Sequence, residues 1–358
     1  MEHKLSRRSF LVTTAGVAAA NRLLFSQQPV ARPMQPVRVL DRRSAVALVK
    51  GESRRKNISD ALAAIEDQIL PVLKQKKYVV IKPNIVNTVN QLASTHADAL
   101  QGIVDFLAPR FKGPVIIAES SAGYTLEGYD NFEYGKVAAE HKGQQVSLLD
   151  LNEEGKYETI PIINGDLHVV PVRLAARLVD PEAYVICSGI MKTHNVVVAT
   201  LSIKNMALGA PLHSARKETR RWNDKRLYHG GVRQTHYDIF LTAQKMQPFW
   251  GATVIDGFEG MEGNGPNSGQ PVPSRIAIAS TDYVSADRVG VEAMGINPDW
   301  IGYLSYCGQC GLGQNDLSKI DIRGARLADV TKKYQLHPDT DRELQWMGPM
   351  TELPHKLG

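Results

Sequence analysis

Residues 183–209 read AYVICSGIMKTHNVVVATLSIKNMALG, and this stretch decides the fold. Its first part, Ala183–Ile190, is an apolar run whose length and composition predict a buried β-strand. A Lys-Thr-His triplet, Lys192–His194, follows where that strand is predicted to end. Thr200–Leu208 then predicts a helix, with Thr200 as its candidate N-cap. Because ligands of open α/β sheets bind at the carboxyl ends of the strands, the stretch predicts a binding site where this strand ends.

A second strand ends in the same way. The apolar run Tyr78–Ile81 leads directly into Lys82, and Asn84 follows two positions later. The helix predicted after the first strand carries a further Lys-Asn pair, Lys204 and Asn205. Each of these side chains, taken alone, is better explained as a solvated loop residue or as part of an outer helix face. Since the arrangement occurs at two strand ends, we predict one shared site. Its catalytic candidates are Lys82, Lys192, His194 and Lys204, and its ligand-binding candidates include Asn84 and Asn205.

The rest of the pattern alternates strands and helices, which predicts an α/β fold with a mostly parallel sheet and helices on both faces. A small β-rich excursion is predicted for Glu153–Val172, where Asn164-Gly165 is a turn signal, and a basic insertion for His213–His236. The predicted strands are Ala45–Val49, Tyr78–Ile81, Val115–Ala118, Val146–Asp150, Ala183–Ile190, Ala252–Asp256, Ile276–Ala279 and Ile320–Ile322. The predicted helices are Ser59–Lys76, His96–Phe111, Phe132–His141, Thr200–Leu208, Thr235–Met246 and Ser285–Met294.

The pattern predicts a single α/β domain over residues 45–330, because no long linker interrupts it. Residues 29–44 are a predicted linker, and residues 331–358 a predicted C-terminal tail. The first 28 residues are a predicted targeting segment, since Arg7 and Arg8 precede Phe-Leu and a mild apolar run, which is typical of a twin-arginine signal. We therefore expect export to the periplasm, or otherwise out of the cytoplasm, by the twin-arginine machinery. No later stretch approaches the roughly 18 apolar residues of a membrane span.

Positive charge is concentrated in one segment. The formal net charge is +5, but without the first 28 residues the chain has 38 basic and 36 acidic residues. The segment His213–His236 alone has seven basic and two acidic residues. Such a run is usually a solvated face, yet it could also line the approach of an anionic ligand, with His229 as a further binding candidate. Nucleic acid is not an expected partner, because no interleaved aromatic platform accompanies the charge.

A glycine-rich acidic stretch, Asp256–Pro266, follows another apolar strand. Its glycines would let the backbone approach a ligand, and its carboxylates could bind a cation or pair with the lysines. A solvated loop explains the same composition equally well. The ligand-binding candidates in this stretch are Asp256, Glu259, Glu262, Gly263 and Gly265.

Taken together, these motifs resemble the DUF362 family of uncharacterised bacterial and archaeal proteins. The resemblance covers about residues 78–325, and it implies one site built from the lysines, His194 and the asparagines, without supplying a reaction. Some relatives are described as iron–sulfur proteins because they carry ferredoxin-like cysteine clusters, and this chain has no such cluster. The motifs that carry the resemblance are Val80–Asn84, Thr95-His96, Lys192–His194, Thr200–Asn205, Asp256–Pro266, and Asp282 with Asp287.

The chain has three cysteines, Cys187, Cys307 and Cys310. The spacing of Cys307 and Cys310 is that of a redox dithiol or of half a metal site. Two thiolates do not complete a zinc site or a cluster, so a metal or iron–sulfur cofactor lacks a full ligand set. In an exported protein a disulfide between Cys307 and Cys310 is the first expectation, followed by catalytic thiol chemistry and then by metal binding.

Three functions remain open from the sequence. The first is an enzyme whose lysines and asparagines hold the oxygens of an anionic small molecule, while His194 or a lysine of lowered pKa moves protons. The second is a redox or cofactor protein, suggested by the export route and the cysteine pair. The third is a binding protein for an anionic ligand, without chemistry. We favour the enzyme because acid–base groups and carboxylates occur together at several strand ends.

Overall fold

The computed structural model describes residues 42–348, which lie within one compact unit. The predicted twin-arginine segment 1–28, residues 29–41 of the predicted linker and residues 349–358 of the predicted tail lie outside the described residues.

Strands and helices alternate as predicted, and the α/β fold class is confirmed. The strands are β1 (Ser44–Lys50), β2 (Tyr78–Lys82), β3 (Val115–Glu119), β4 (Val146–Asp150), β5 (Tyr157–Ile163), β6 (Val169–Ala175), β7 (Ala183–His194), β8 (Val198–Thr200), β9 (Trp250–Glu262), β10 (Gln270–Val272), β11 (Ile276–Ser280) and β12 (Ile320–Gly324). The α-helices are α1 (Arg54–Ala63), α2 (Glu66–Leu73), α3 (Ala97–Leu107), α4 (Thr125–Asn131), α5 (Gly135–Glu140), α6 (Leu151–Glu154), α7 (Ser202–Gly209), α8 (Val232–Met246), α9 (Tyr283–Ala293), α10 (Gly302–Gln309), α11 (Leu327–Val330) and α12 (Thr340–Glu343).

One 10-stranded sheet organises the protein, with the strand order β12-β1-β11-β9-β7-β2-β3-β4. The strands from β9 to β4 in this order are parallel neighbours, and β12 is parallel to β1. Strand β11 runs antiparallel to both of its neighbours, and the short strands β8 and β10 pair antiparallel with β7 and β9. The predicted β-rich excursion is the separate hairpin β5–β6. The sheet is thus mostly parallel, as predicted.

Side chains alternate between two hydrophobic cores, one on each face of the sheet. In β2, Val79 and Ile81 pack in the core that α1, α2 and α3 cover, whereas Val80 packs in the core that α7 to α10 cover. Burying each large aliphatic side chain contributes about 1.5–3 kcal/mol, so this alternation sets which way every strand faces. Lys82 stands two residues after Val80 and therefore faces the α7 side.

Two strands are longer than predicted. Strand β7 does not end at Ile190 but continues to His194, and the side chains of Lys192 and His194 are buried. Strand β9 continues to Glu262, so most of the predicted loop Asp256–Pro266 is strand. Both extensions find backbone partners, since the end of β7 pairs with β8 and the end of β9 pairs with β10. These pairs satisfy the backbone hydrogen-bonding groups of the extensions, so each strand continues beyond its apolar run. The apolar pattern of the sequence does not reveal such pairing.

The helices differ from prediction at several places, and α6, α10, α11 and α12 were not predicted. The single helix predicted for Ser59–Lys76 is two helices, α1 and α2, separated at Ala64 and Ile65. Helix α4 was not predicted, because its sequence TLEGYDN has no helical apolar pattern. Helix α8 begins at Val232, three residues before the predicted start.

Thr200 is not the N-cap of α7, because it is the last residue of β8. The free backbone N–H groups of Ser202 and Ile203 instead donate to the Asp287 carboxylate, at 2.8 Å and 3.0 Å. Asp287 belongs to α9, so one helix caps the other across the core. This cap from a distant residue positions the helix that carries Lys204.

The described part of the predicted tail, residues 331–348, packs against the core and does not form a tail. Tyr334 and Leu344 are buried, and the Tyr334 hydroxyl lies 2.9 Å from Ser274 Oγ. The Glu343 carboxylate accepts the backbone N–H of Val198 in β8 at 2.9 Å. Across residues 42–348, no helix has both the length and the apolar character needed to cross a membrane.

Candidate functional site

A cavity of about 330 Å³ lies at the carboxyl ends of β2, β3 and β7, beside α7. Four lysines line it, Lys82, Lys192, Lys204 and Lys225, and we call it the lysine cavity. All four catalytic candidates from the sequence contribute to this lining, because parallel strands bring their carboxyl ends to the same edge. The other polar residues of the lining include Asn84, Glu119, Ser120, His194, Asn205, His229 and Asn267.

Lys82 forms a buried ion pair with Glu119. The Lys82 Nζ atom lies 3.0 Å from each carboxylate oxygen of Glu119 and 3.0 Å from Asn205 Oδ1. These two residues end the adjacent parallel strands β2 and β3, which places them side by side. Burial raises the pKa of Glu119, and the Lys82 ammonium opposes that shift. A buried pair with several hydrogen bonds holds both side chains in one geometry.

An amide network joins Lys82 to Lys192. Asn205 Oδ1 also accepts from Asn84 Nδ2 at 2.9 Å, and Asn84 Oδ1 accepts from Lys192 Nζ at 2.9 Å. Lys192 donates a second hydrogen bond to the backbone oxygen of Ala93 at 2.7 Å. Burial, reinforced by the nearby Lys204 ammonium, lowers the pKa of Lys192 well below its usual value. Hydrogen bonds through the amides of Asn84 and Asn205 thereby link β2, β7 and α7 at the cavity.

Lys204 differs from the other lysines of the cavity. Its side chain is buried, and within residues 42–348 its Nζ atom has no hydrogen-bond or ion-pair partner. Burial lowers the pKa of Lys204 to about 7, and the Lys82 ammonium acts in the same direction. Lys204 therefore loses its proton much more readily than an ordinary lysine, and its amine is free in the cavity.

Lys225 and His229 come from the basic insertion and close another side of the cavity. Lys225 Nζ donates to the backbone oxygens of Leu208 and Gly209 at 3.2 Å and 3.0 Å. Burial lowers the pKa of Lys225 to about 7, against the attraction of the Glu119 carboxylate. His229 is exposed at the cavity and interacts through Nδ1 with the Lys225 backbone oxygen at 3.0 Å. The insertion thus contributes to the site with one of its seven basic residues.

His194 is a neutral hydrogen-bond donor in this site. Burial, followed by the Lys204 and Lys192 ammonium groups, lowers the pKa of His194 well below its usual value. The Val196 backbone N–H donates to His194 Nδ1 at 3.0 Å, which leaves the ring proton on Nε2. A neutral ring with its Nδ1 already occupied can donate from Nε2 but accepts no proton near neutral pH.

The acidic residues of the glycine-rich stretch do not line the cavity. Asp256 follows Val254 on the opposite face of the sheet and lies 3.0 Å from Arg54 Nε in α1. Glu259 is exposed, and Glu262 accepts the Gln335 backbone N–H at 2.8 Å. The expectation that these carboxylates pair with the lysines is therefore wrong. The alternation of side chains along β9 turns Asp256 away from the lysine side.

The glycines of the same stretch play a packing role beside the cavity. The Gly263 backbone oxygen accepts from Thr193 Oγ1 at 2.9 Å, and Gly263 has a φ of 71°. A Cβ atom on Gly265 would overlap the Thr193 backbone oxygen, so only glycine allows this close approach to β7. Next to it, Pro266 and Asn267 reach the cavity wall.

Sequence reasoning missed Glu119 and Lys225. A signal for Glu119 exists, since it follows the apolar run Val115–Ala118 as Lys82 follows its own strand. No comparable signal marks Lys225, because nothing in the sequence distinguishes it from the other basic residues of its segment.

The cysteines lie outside the cavity lining. Cys307 is buried in α10, and Cys310 is exposed just after it; both are free thiols, and their oxidation stays a prediction. Burial raises the pKa of Cys187 to about 12, and Asn205 Nδ2 lies 3.3 Å from its sulfur. Among the residues that the structure describes, no three His, Cys, Asp or Glu side chains are grouped as metal ligands.

A family profile described as "Domain of unknown function (DUF362)" matches residues 79–292. The chain belongs to the DUF362 family. In this DUF362 protein the matched range contains all the polar lining residues of the lysine cavity. The profile match thus spans the motifs of the site, while the family description names no reaction.

One solved structure aligns with this DUF362 protein: the crystal structure of a protein from Thermotoga maritima, a target of the Northeast Structural Genomics Consortium. The sequences are 9% identical and the TM-score is 0.42. The alignment covers 74% of this chain and 60% of that chain, so it omits a substantial part of the Thermotoga protein. Among curated proteins, none matches the chain.

Proposed function

We propose that this DUF362 protein is an exported enzyme that acts on a small anionic molecule bound in the lysine cavity. One observation carries the proposal: the buried Lys204 amine faces the cavity and has no partner within residues 42–348. An ammonium group that lies largely buried in a cavity, with no partner from the chain, is poorly compensated for the water that it loses. An anion from outside the chain would supply the missing partner.

The charge balance of the cavity supports the same conclusion. Four lysines line it, and Glu119, already paired with Lys82, is the carboxylate among the lining residues that the structure describes. Burial is the main cause that lowers the pKa of Lys204 and of Lys225 to about 7, and the Lys82 ammonium lowers both pKa values further. A bound anion would attract both ammonium groups and would therefore favour their protonated forms.

The geometry suggests a role for each side chain. Lys204 has a pKa near neutral and a free amine, which suits a group that takes a proton from a bound substrate. Lys192 and Lys225 are anchored by backbone oxygens and would hold the anionic oxygens in place. His194 is neutral and would donate a hydrogen bond from Nε2, replacing the proton-transfer role that its residue type suggested.

A binding protein without chemistry is the second candidate. It is favoured by the fact that Lys192 and Lys225 are each held by two acceptors of the chain, which leaves one donor of each in a preformed anion cradle. Turnover separates the two functions. An extract of small molecules would be incubated with the wild-type protein and with Lys204→Met and then compared by mass spectrometry. A compound consumed only by the wild type supports the enzyme; its absence favours the binding protein.

Anion binding itself is tested by calorimetric titration with sulfate, whose charge does not change between pH 6 and pH 9. We expect the affinity to fall as pH rises above 7, by up to about tenfold per pH unit for each lysine that must be protonated. Lys204→Met should weaken binding and reduce this pH dependence, while Lys217→Met, which removes an exposed charge outside the cavity, should change neither. Equal affinity in Lys204→Met and the wild type would refute the proposed site.

Export is tested separately. The Arg7 and Arg8 pair motivates the proposal, and replacing both with lysine should leave the protein in the cytoplasm. Accumulation of the double variant outside the cytoplasm at the wild-type level would contradict export by the twin-arginine route.

A further inference from the structure

A second cavity of about 440 Å³ adjoins the lysine cavity, and Ala122 lines both. Its wall contains two arginines, Arg221 and Arg226, and the aromatic rings of Tyr124 and Trp222. We call it the arginine cavity. Most of its lining belongs to the basic insertion. Of the seven basic residues of that segment, only Lys225 lines the lysine cavity.

The arginines of this cavity have no carboxylate partner. Across residues 42–348, neither Arg221 nor Arg226 forms an ion pair; Arg221 donates to the backbone oxygens of Ala215 and Arg216, each at 3.1 Å. The guanidinium of Arg226 has no hydrogen bond at all within that range and is exposed. Both groups therefore retain free N–H donors.

The two acidic residues of the insertion are already engaged elsewhere. Asp224 forms a two-point ion pair with Arg173, with distances of 2.9 Å and 2.7 Å to its oxygens. Glu218 accepts the indole N–H of Trp222 at 2.8 Å and the backbone N–H of Ala215 at 2.9 Å. The insertion thus uses its acids for its own architecture. Neither carboxylate forms an ion pair with the arginines of the cavity, although the Arg221 charge helps to lower the pKa of Glu218.

We propose that the lysine and arginine cavities bind opposite ends of one elongated molecule that has two anionic groups. This inference rests on the proposed anion binding in the lysine cavity. The planar, forked guanidinium matches the oxygens of a carboxylate, sulfonate or phosphate group, so the arginine cavity takes the second such group. The rings of Tyr124 and Trp222 also line the arginine cavity, each with a guanidinium over one face, that of Arg216 and that of Arg173, so their remaining surface faces the part of the molecule between the two groups.

Because Ala122 lines both cavities, the distance between the two anionic groups of a ligand should decide whether it can occupy both. A molecule with one anionic group occupies one cavity, whereas a linker of suitable length lets the second group bind as an intramolecular event. The second contact then strengthens binding through a high effective concentration, and the gain disappears when the linker cannot span the sites.

The experiment is a calorimetric titration with sulfate and with sulfocarboxylates that have from one to six methylene groups between their ends. In the wild type, we expect one chain length to bind about tenfold more tightly than sulfoacetate, the shortest of the series. In the double variant Arg221→Gln/Arg226→Gln, that gain should vanish while sulfate affinity is unchanged. The matched control is Lys217→Gln/Arg220→Gln, which removes the same charge from exposed residues of the insertion outside either cavity and should keep the gain. The single variant Arg226→Gln is included because Arg221, unlike Arg226, donates to backbone oxygens of its own loop, so its replacement could alter that loop.

The outcomes separate this inference from the proposed function. If Lys204→Met abolishes sulfate binding but the arginine variants keep the full chain-length gain, the lysine cavity stands and the arginine cavity is refuted. An affinity that is the same for every chain length in the wild type also refutes it. If Lys204→Met leaves sulfate binding intact, or if no member of the series binds, both proposals fail.

Discussion

Replacing Lys204 with methionine should stabilise this protein, and the size of the effect should depend on pH. The perturbation removes a buried amine that has no partner within residues 42–348 and leaves an unbranched apolar side chain of similar length. The unfolded chain keeps Lys204 protonated up to its ordinary pKa of 10.5, while the folded protein releases the proton near pH 7. Between these values the unfolded chain binds more protons, so the free energy of unfolding of the wild type rises with pH.

The magnitude follows from that pKa difference. A lowering from 10.5 to about 7, at about 1.4 kcal/mol per pKa unit, corresponds to at most about 5 kcal/mol. Below pH 7 the folded wild type carries the whole penalty, and above about pH 10 it carries almost none. We therefore expect Lys204→Met to raise the free energy of unfolding by about 2 to 5 kcal/mol at pH 6.5 and by progressively less at pH 8 and pH 9.5.

The assay is urea unfolding of the wild type and the variant in a buffer without multivalent anions. Lys192→Met is the comparison, because it removes the donor to two buried acceptors, Asn84 Oδ1 and the Ala93 backbone oxygen. Each unpaired acceptor costs about 1–3 kcal/mol, which subtracts from the gain of removing this buried amine, so Lys192→Met should be less stable than Lys204→Met. A Lys204→Met protein that is less stable than the wild type at pH 6.5, or whose gain does not depend on pH, would refute the reasoning.

Three further predictions concern the ion pair and the cysteines. Lys82→Met leaves the Glu119 carboxylate buried without its partner and should lower the free energy of unfolding by about 3–5 kcal/mol, with partial recovery when Glu119→Gln is added. Gly209→Ala places a Cβ atom against Lys82 Nζ, so calorimetry should show weakened sulfate binding although the charge of the cavity is unchanged. In exported protein unfolded in denaturant, Cys307 and Cys310 should resist alkylation until reductant is added; two freely labelled thiols before reduction would contradict the disulfide.

The amino-acid sequence by itself determined the fold class and which basic residues lie at the carboxyl edge of the sheet. Apolar runs alternating with helical patterns specify a mostly parallel sheet, because strands joined by helices run in the same direction. Once the strands are parallel, residues at their predicted carboxyl ends meet at one edge, which is why Lys82 and Lys192 could be grouped from positions more than 100 residues apart. This inference needs only local patterns and the handedness of the connections.

The tertiary structure alone decided which charges meet across that edge. Glu119 and Asp256 both follow apolar runs, yet Glu119 pairs with Lys82 while Asp256 pairs with Arg54 on the other face of the sheet. Strand order and the two-residue alternation of side chains select between them, and both depend on pairing between distant segments. The pKa of Lys204 is likewise a property of the assembled cavity, because desolvation arises only when β7, α7 and the basic insertion close around it.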